Sequence, residues 1–213
     1  MKNKRVTIID SRVNNLGNIV NACKYLNADV KVTSDIKEIK KSDKIILPGL
    51  GAYNSTMNYL VKKKLTDQIY EHCKIKKKYI FGICLGMQLL FESSDENIYS
   101  KGLALFKGDC KILKSNKDNF INIPHMGWNE VFLNPDIKKT KLKNLFNKGN
   151  NFFYFVHSYF IKFKKQKYIS GYSSLGLNKI CSLLESENIL GTQFHPELSG
   201  KKGLSILNYF LEK

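Results

Sequence analysis

Short apolar runs separated by amphipathic stretches set the pattern of the first hundred residues. Arg5 to Ile9 is β-branched and predicts a strand, and Leu16 to Leu26 puts Leu16, Ile19, Val20, Cys23 and Leu26 at helical spacing. Further strands are predicted at Asp29 to Thr33 and Lys44 to Leu47, with a short polar helix between them near Asp35 to Lys40. Helices around Ser55 to Lys63 and Leu65 to Lys74 lead to a buried strand, Tyr79 to Phe81, and a buried helix, Leu85 to Phe91. Strand, crossover helix and strand in this order predict an α/β fold with a largely parallel central sheet and helices on both faces.

Beyond Gly102 the pattern shortens. Strands are predicted at Lys111 to Leu113, Trp128 to Phe132, Asn151 to Val156, Tyr159 to Phe163, Tyr168 to Tyr172 and Lys179 to Leu184, giving an antiparallel C-terminal portion. Leu190 to Phe194 reads as one more strand, and Lys202 to Phe210, with Leu204, Ile206, Leu207 and Phe210, as a closing amphipathic helix. No repeat or low-complexity linker divides the 213 residues, so a single domain over 1–213 is expected.

A formal net charge of +17 raises the question of a nucleic-acid or anionic-membrane surface. Only Arg5 and Arg12 are arginines, and the lysines are scattered in small groups such as Lys62 to Lys64, Lys76 to Lys78 and Lys201-Lys202. Base and phosphate readers favour arginine's planar fork. The excess therefore reads as a solvated lysine surface that can assist docking on an acidic partner, with no nucleic acid and no membrane expected as partners. No run approaches the roughly 18 apolar residues of a membrane span, and Met-Lys-Asn-Lys-Arg at the start carries no apolar targeting segment. The five cysteines, an odd number without a C-x-x-C pair, give zinc no binding pattern. A reduced, cytoplasmic protein without metal or cofactor is expected.

One cysteine differs from the others. Gly82-Ile83-Cys84-Leu85-Gly86-Met87-Gln88 sets Cys84 between glycines where a strand is predicted to turn into a helix. Residues without side-chain bulk let the backbone strain and let a substrate approach, as at the nucleophile elbow of serine hydrolases. Unpaired amides at a helix start favour the thiolate, the form that attacks carbonyl carbon. His72 next to Cys73 lies in a polar stretch expected on a helix surface and is given no catalytic role.

A thiolate in acyl transfer needs a base, and the base an orienting partner. His195-Pro196-Glu197 after the last strand offers both, since residues two apart on an extended chain point the same way. His157, between two aromatic strand segments, is left open between structural and substrate-positioning roles, and His125, expected on a turn, reads as a structural hydrogen bonder. For an oxyanion the candidate donors are the Leu85 amide and an amide of the glycine-rich loop Gly49-Leu50-Gly51, which equally satisfies the needs of a tight turn.

Taken together, Gly-Ile-Cys-Leu-Gly-Met-Gln-Leu-Leu-Phe-Glu-Ser-Ser at 82–94, Pro-Gly-Leu-Gly-Ala-Tyr at 48–53, Pro-His-Met-Gly-Trp-Asn at 124–129, Tyr-Phe-Val-His-Ser-Tyr at 154–159 and Gln-Phe-His-Pro-Glu at 193–197 resemble the class I glutamine amidotransferases. The block at 124–129 resembles in particular the glutaminase subunit of imidazole glycerol phosphate synthase. The resemblance implies a flavodoxin-like domain with a Cys84, His195, Glu197 triad. It also implies binding of L-glutamine aided by Gln88, His157, Ser158 and Tyr159, and ammonia passed to a (β/α)8-barrel cyclase in a heterodimer serving histidine biosynthesis. Hydrolysis without synthesis wastes glutamine, so low basal activity is expected without a liganded partner. Two departures stand out. Asp10-Ser11-Arg12-Val13-Asn14-Asn15 lacks the family's two loop glycines, and Leu198 replaces the lysine that usually follows His-Pro-Glu. Both suit a paralogous glutaminase that supplies ammonia for amidating a surface sugar.

Overall fold

The computed structural model describes residues 4–12, 16–49, 51–96, 99–118, 120–135, 141–146, 150–163 and 168–213. The N-terminal half alternates as predicted through β1 (Arg5–Ile9), α1 (Gly17–Tyr25), β2 (Asp29–Thr33), α2 (Ile36–Lys41), β3 (Lys44–Leu47), α3 (Tyr53–Lys62), α4 (Leu65–Tyr70), β4 (Tyr79–Ile83) and α5 (Leu85–Gln88). Shorter elements follow: β5 (Ser93–Ser94), β6 (Ser100–Lys101), β7 (Gly108–Ile112), β8 (His125–Glu130), β9 (Phe132–Leu133), α6 (Lys141–Phe146), β10 (Phe152–His157) and β11 (Tyr159–Phe163). The chain closes with β12 (Ile169–Leu175), β13 (Asn178–Ser186), β14 (Ile189–Thr192) and α7 (Gly200–Leu211).

The main sheet has the order β2-β1-β3-β4-β14-β13-β12-β9. Its first five strands are parallel and its last three antiparallel. Alternation along the parallel strands divides their side chains between two cores. Ile45, Leu47 and Ile80 pack with Tyr53, Met57 and Leu60 of α3 and with Leu65 and Ile69 of α4. Ile46, Phe81 and Ile83 pack on the other face with Ile19 and Ala22 of α1 and with Ile206, Leu207 and Phe210 of α7. Each fully buried aliphatic or aromatic side chain contributes about 1.5–3 kcal/mol. Even Lys44 on β3 is buried, its ammonium bonded to the Leu211 carbonyl at the end of α7.

Beside this sheet, β10 pairs with β8 and β11 with β7, both antiparallel as expected, while β5 joins β7 in parallel. Two predicted helices end early. The helix expected from Leu85 to Phe91 stops at Gln88, because the carbonyls of Leu89, Leu90 and Phe91 are taken by the amides of Leu103, Leu105 and Ala104. The helix expected from Leu65 to Lys74 widens after Tyr70 into a π-helical turn, Glu71–Ile75. That extra residue per turn shifts the helix faces. His72, expected at the surface, is consequently buried and its Nε2 lies 3.1 Å from the Tyr79 carbonyl.

Candidate active site

Three neighbouring parallel strands, β3, β4 and β14, end at one edge of the sheet, and the candidate chemistry sits on the turns that follow them. Ligands of open α/β sheets collect at this edge. After β4 the chain turns at Cys84 with φ 53° and ψ −113°. Backbone of this kind in a residue with a side chain costs on the order of 1–3 kcal/mol and persists only where its surroundings hold it. Here the Cys84 amide donates to the Thr192 carbonyl at 2.7 Å, and the Cys84 carbonyl accepts from Met87 and Gln88 at 3.0 and 3.1 Å.

The strain falls on Cys84, and the flanking glycines serve close packing. A Cβ on Gly86 would lie 1.8 Å from the Leu47 carbonyl oxygen, one on Gly82 2.8 Å from the Gly86 oxygen, and one on Gly49 2.5 Å from the Gly86 nitrogen. The start of α5 is thereby nested against the loop after β3.

Beyond β14 the chain bends at Gln193 and Phe194, is extended at His195 and then forms a 3-10 turn, Pro196–Leu198. This turn, rather than strand alternation, carries the Glu197 carboxylate back to His195, with Oε1 2.8 Å from Nδ1. A carboxylate only accepts, so Nδ1 holds the proton. Nε2 is buried without a hydrogen-bond partner among the described residues. Burial opposes charge on this imidazole, but the Cys84 sulfur and then Glu197 outweigh it and push His195 up to about 10. The His195 backbone is clamped as well. Its amide donates to the Tyr154 carbonyl at 2.9 Å, and the Ser199 hydroxyl donates to the His195 carbonyl at 2.5 Å while accepting from the Tyr154 amide at 2.9 Å.

A cavity of about 260 Å³ opens over Cys84. Gly49, Gly51, Leu85 and Gln88 border it on the side of the parallel strands, and His157, Ser158 and Tyr159 on the side of β10 and β11. Every substrate-side residue expected from the sequence thus meets Cys84 in one cavity, except Leu50, which lies outside the described residues. His195 and Glu197 stand behind Cys84, and Glu197 faces a separate cleft with Asn18, Asn21 and Tyr25 of α1.

The two remaining candidate histidines form a pair. His157 Nδ1 lies 2.8 Å from the Tyr159 carbonyl and therefore donates, which leaves Nε2 to accept from His125 Nδ1 at 3.1 Å. Burial, with His125 and His195 nearby, pushes His157 down to about 3, and burial lowers His125 too. Both rings are neutral hydrogen bonders, and His125 lies on β8 rather than a turn. His157 has neither nitrogen left for Cys84.

Two residues of this site had no role assigned from the sequence. Gln193 is fully buried and its Nε2 lies 3.5 Å from the Cys84 sulfur. Its position two residues before His195, on the strand expected over Leu190 to Phe194, was the available signal. Glu96 borders the cavity and accepts from the Tyr53 amide at 2.9 Å. It follows the two-residue strand β5, too short to leave a pattern.

Fold and site define a class: a doubly wound α/β domain with a cysteine on a strained turn after a central strand and a carboxylate-held imidazole after the next. Residues 7–213 match the family described as Glutamine amidotransferase class-I, and the chain belongs to that family. It is 40% identical to the imidazole glycerol phosphate synthase subunit HisH of Caldanaerobacter subterraneus subsp. tengcongensis over 97% of both chains. It is 38% identical to the protein of the same name from Lactococcus lactis over 99% of both. Among solved structures, a glutamine amidotransferase superimposes with a TM-score of 0.74 at 15% identity over 97% of both chains. The glutaminase domain of Trypanosoma brucei CTPS with bound acivicin superimposes with 0.66 at 16% identity, over 98% of this chain and 94% of that one.

Proposed function

We propose that this chain, as one domain over 1–213, is the glutaminase subunit of an imidazole glycerol phosphate synthase and hydrolyses L-glutamine to glutamate and ammonia. The observation that carries the reading is the Cys84 turn over a cavity, backed by an imidazole whose other nitrogen is held by Glu197. Near-full-length identity to two HisH subunits supports the assignment. In this reading Cys84 attacks the side-chain amide carbon, His195 protonates the departing ammonia and then activates water against the thioester, and Glu197 fixes the tautomer. Gly49, Gly51 and Leu85 present amides to the oxyanion. Gln88, His157, Ser158 and Tyr159 shape the pocket, and the Glu96 carboxylate matches the substrate's ammonium.

The ammonia is handed to a (β/α)8-barrel cyclase in a heterodimer that makes imidazole glycerol phosphate and AICAR in histidine biosynthesis. Support comes from the outer face of β8 and β10, where Met126, Trp128 and Phe152 are exposed and apolar. The same strip reaches the cavity at Pro124 and Val156, so a partner seated there meets the site. Five unpaired cysteines accord with a reducing cytoplasm. Leu198, an exposed apolar residue on the 3-10 turn beside Glu197, keeps a surface-sugar amidating partner as a second reading.

Glutamate formation by wild type and Cys84→Ala, each purified with the cyclase, tests the proposal. Cys84→Ala retains its fold and forms neither glutamate nor ammonia; ammonia release by that variant ends the proposal. A chain that hydrolyses glutamine normally but neither binds nor serves the cyclase supports the sugar reading.

A further inference from the structure

Hydrogen-bond direction around the cysteine is fixed by one atom that can only accept. The Tyr159 carbonyl receives Gln88 Nε2 at 2.8 Å, so the amide group of Gln88 turned toward it is the NH2. The same NH2 lies 3.0 Å from Gln193, which must therefore present its oxygen there. The NH2 of Gln193 is left facing Cys84 Sγ at 3.5 Å. We infer that Gln193 is a positioning residue that donates a hydrogen bond to the Cys84 sulfur and favours the thiolate, with Gln88 setting the direction of that donor.

The opposing group is the Val156 carbonyl, 3.7 Å from Sγ, which can accept from a thiol but only repels a thiolate. Gln193 is fully buried, so water cannot take over its bond. His195 and the buried Cys110 are titratable groups that interact with Cys84 among the described residues. Gln193 thus provides the neutral, fixed donor that counters Val156 and leaves His195 to move protons. Through Gln88, which borders the cavity, the same bonds tie the substrate pocket to the sulfur.

The inference rests on Cys84 as nucleophile, and its test reads the sulfur directly. Iodoacetamide alkylation of Cys84, which borders the cavity while the other four cysteines have no exposed surface, is followed by peptide mass spectrometry in the full-length chain. In Gln193→Leu, alkylation near neutral pH slows about tenfold, and the difference vanishes in alkali where the thiol is ionised in both proteins. Gln193→Glu keeps the shape and the acceptor for Gln88 but turns an oxygen toward the sulfur, and it slows alkylation at least as much. In the cyclase complex, kcat falls in step while KM for glutamine changes less. A packing role alone lowers the melting temperature and leaves the pH dependence of alkylation in place. Wild-type alkylation across the pH range by either folded variant overturns the inference, and Gln193→Glu decides if Gln193→Leu does not fold. Retained glutaminase activity in Cys84→Ala sinks the nucleophile reading instead, whatever the alkylation shows.

Discussion

Replacing Glu197 by glutamine removes one charge and little else, which makes it a sharp probe of the imidazole. The 2.8 Å bond from His195 Nδ1 is nearly out of reach of solvent, the two side chains being 3% and 9% exposed. A hydrogen bond to a charged group is worth about 1.5–3 kcal/mol and a neutral one about 0.5–1.5. The lost difference, about 1–1.5 kcal/mol, corresponds to roughly five- to tenfold in stabilising the imidazolium. A second effect is larger. The carboxylate can only accept, whereas a carboxamide can offer its NH2 to Nδ1 and move the ring proton to Nε2, where it blocks proton removal from Cys84. The wrong tautomer in a comparable triad costs about 10⁴ in kcat. Steady-state glutamate release by the cyclase complex should therefore fall between about fivefold and 10⁴-fold in kcat with little change in KM. The imidazole should also lose its proton at lower pH than in wild type, since Glu197 is one of the groups pushing it up. A Glu197→Gln enzyme within about twofold of wild type in kcat would refute the reasoning.

Three further outcomes are expected. Gly86→Ala places a methyl group 1.8 Å from the Leu47 oxygen, and should cost about 3 kcal/mol, seen as a melting temperature lower by about 6–12 °C, together with glutaminase activity. Acid should destabilise the fold: burial pushes His72 down to about 4 and His157 to about 3, while the unfolded chain takes up these protons near 6.5. The stability tied to their neutral forms is full above about 6.5 and is lost as pH falls; the raised His195 acts in the opposite sense over this range, but two depressed groups outweigh one raised one, so the urea midpoint should drop between pH 7.5 and 5, and less so in His72→Gln; a flat profile would contradict this. Trp128→Ala should weaken association with the cyclase about tenfold or more by titration calorimetry, with hydrolysis by the isolated chain unchanged.

What the sequence revealed and what it hid divide along the range of the interactions. Arg5 to Ile9, Lys44 to Leu47 and the Cys84 turn were legible because β-branched runs and paired glycines are local signals. His-Pro-Glu was legible for the same reason, although a 3-10 turn rather than a strand delivers the carboxylate. The end of α5 was not, because it depends on amides some fifteen residues further along capturing the carbonyls of Leu89 to Phe91. His72 was misplaced because a π-helical turn leaves no mark in apolar spacing. Gln193 and Glu96 escaped for want of a partner visible nearby: one acts across the sheet on Cys84, and the other is carried by a strand of two residues. Of the altered first loop, Val13 to Asn15 lie outside the described residues, while Arg12 takes a positive φ of 57° and lies over the Tyr59 ring at 5.7 Å.

The glycines around Cys84 join these scales. Read locally, they freed a backbone to strain; in three dimensions the strained residue is the cysteine, and the glycines admit the end of β3 into the start of α5. That nesting has a chemical consequence. The contact that leaves no room for a Cβ on Gly49, which would lie 2.5 Å from the Leu85 Cβ, brings the loop after β3 against the first amides of α5, which have no carbonyl behind them in the helix. Gly49 and Leu85, from two separate strand ends, thereby border one cavity together with Cys84. The bond from the Cys84 amide to Thr192 extends the ladder of β4 and β14 by one residue past the last paired strand position, so the sheet itself holds the strain. The same bond fixes the turn against the stretch that carries Gln193 and His195. This ladder contact therefore ties the strand end that carries the proposed nucleophile to the one that leads to its positioning amide and its base.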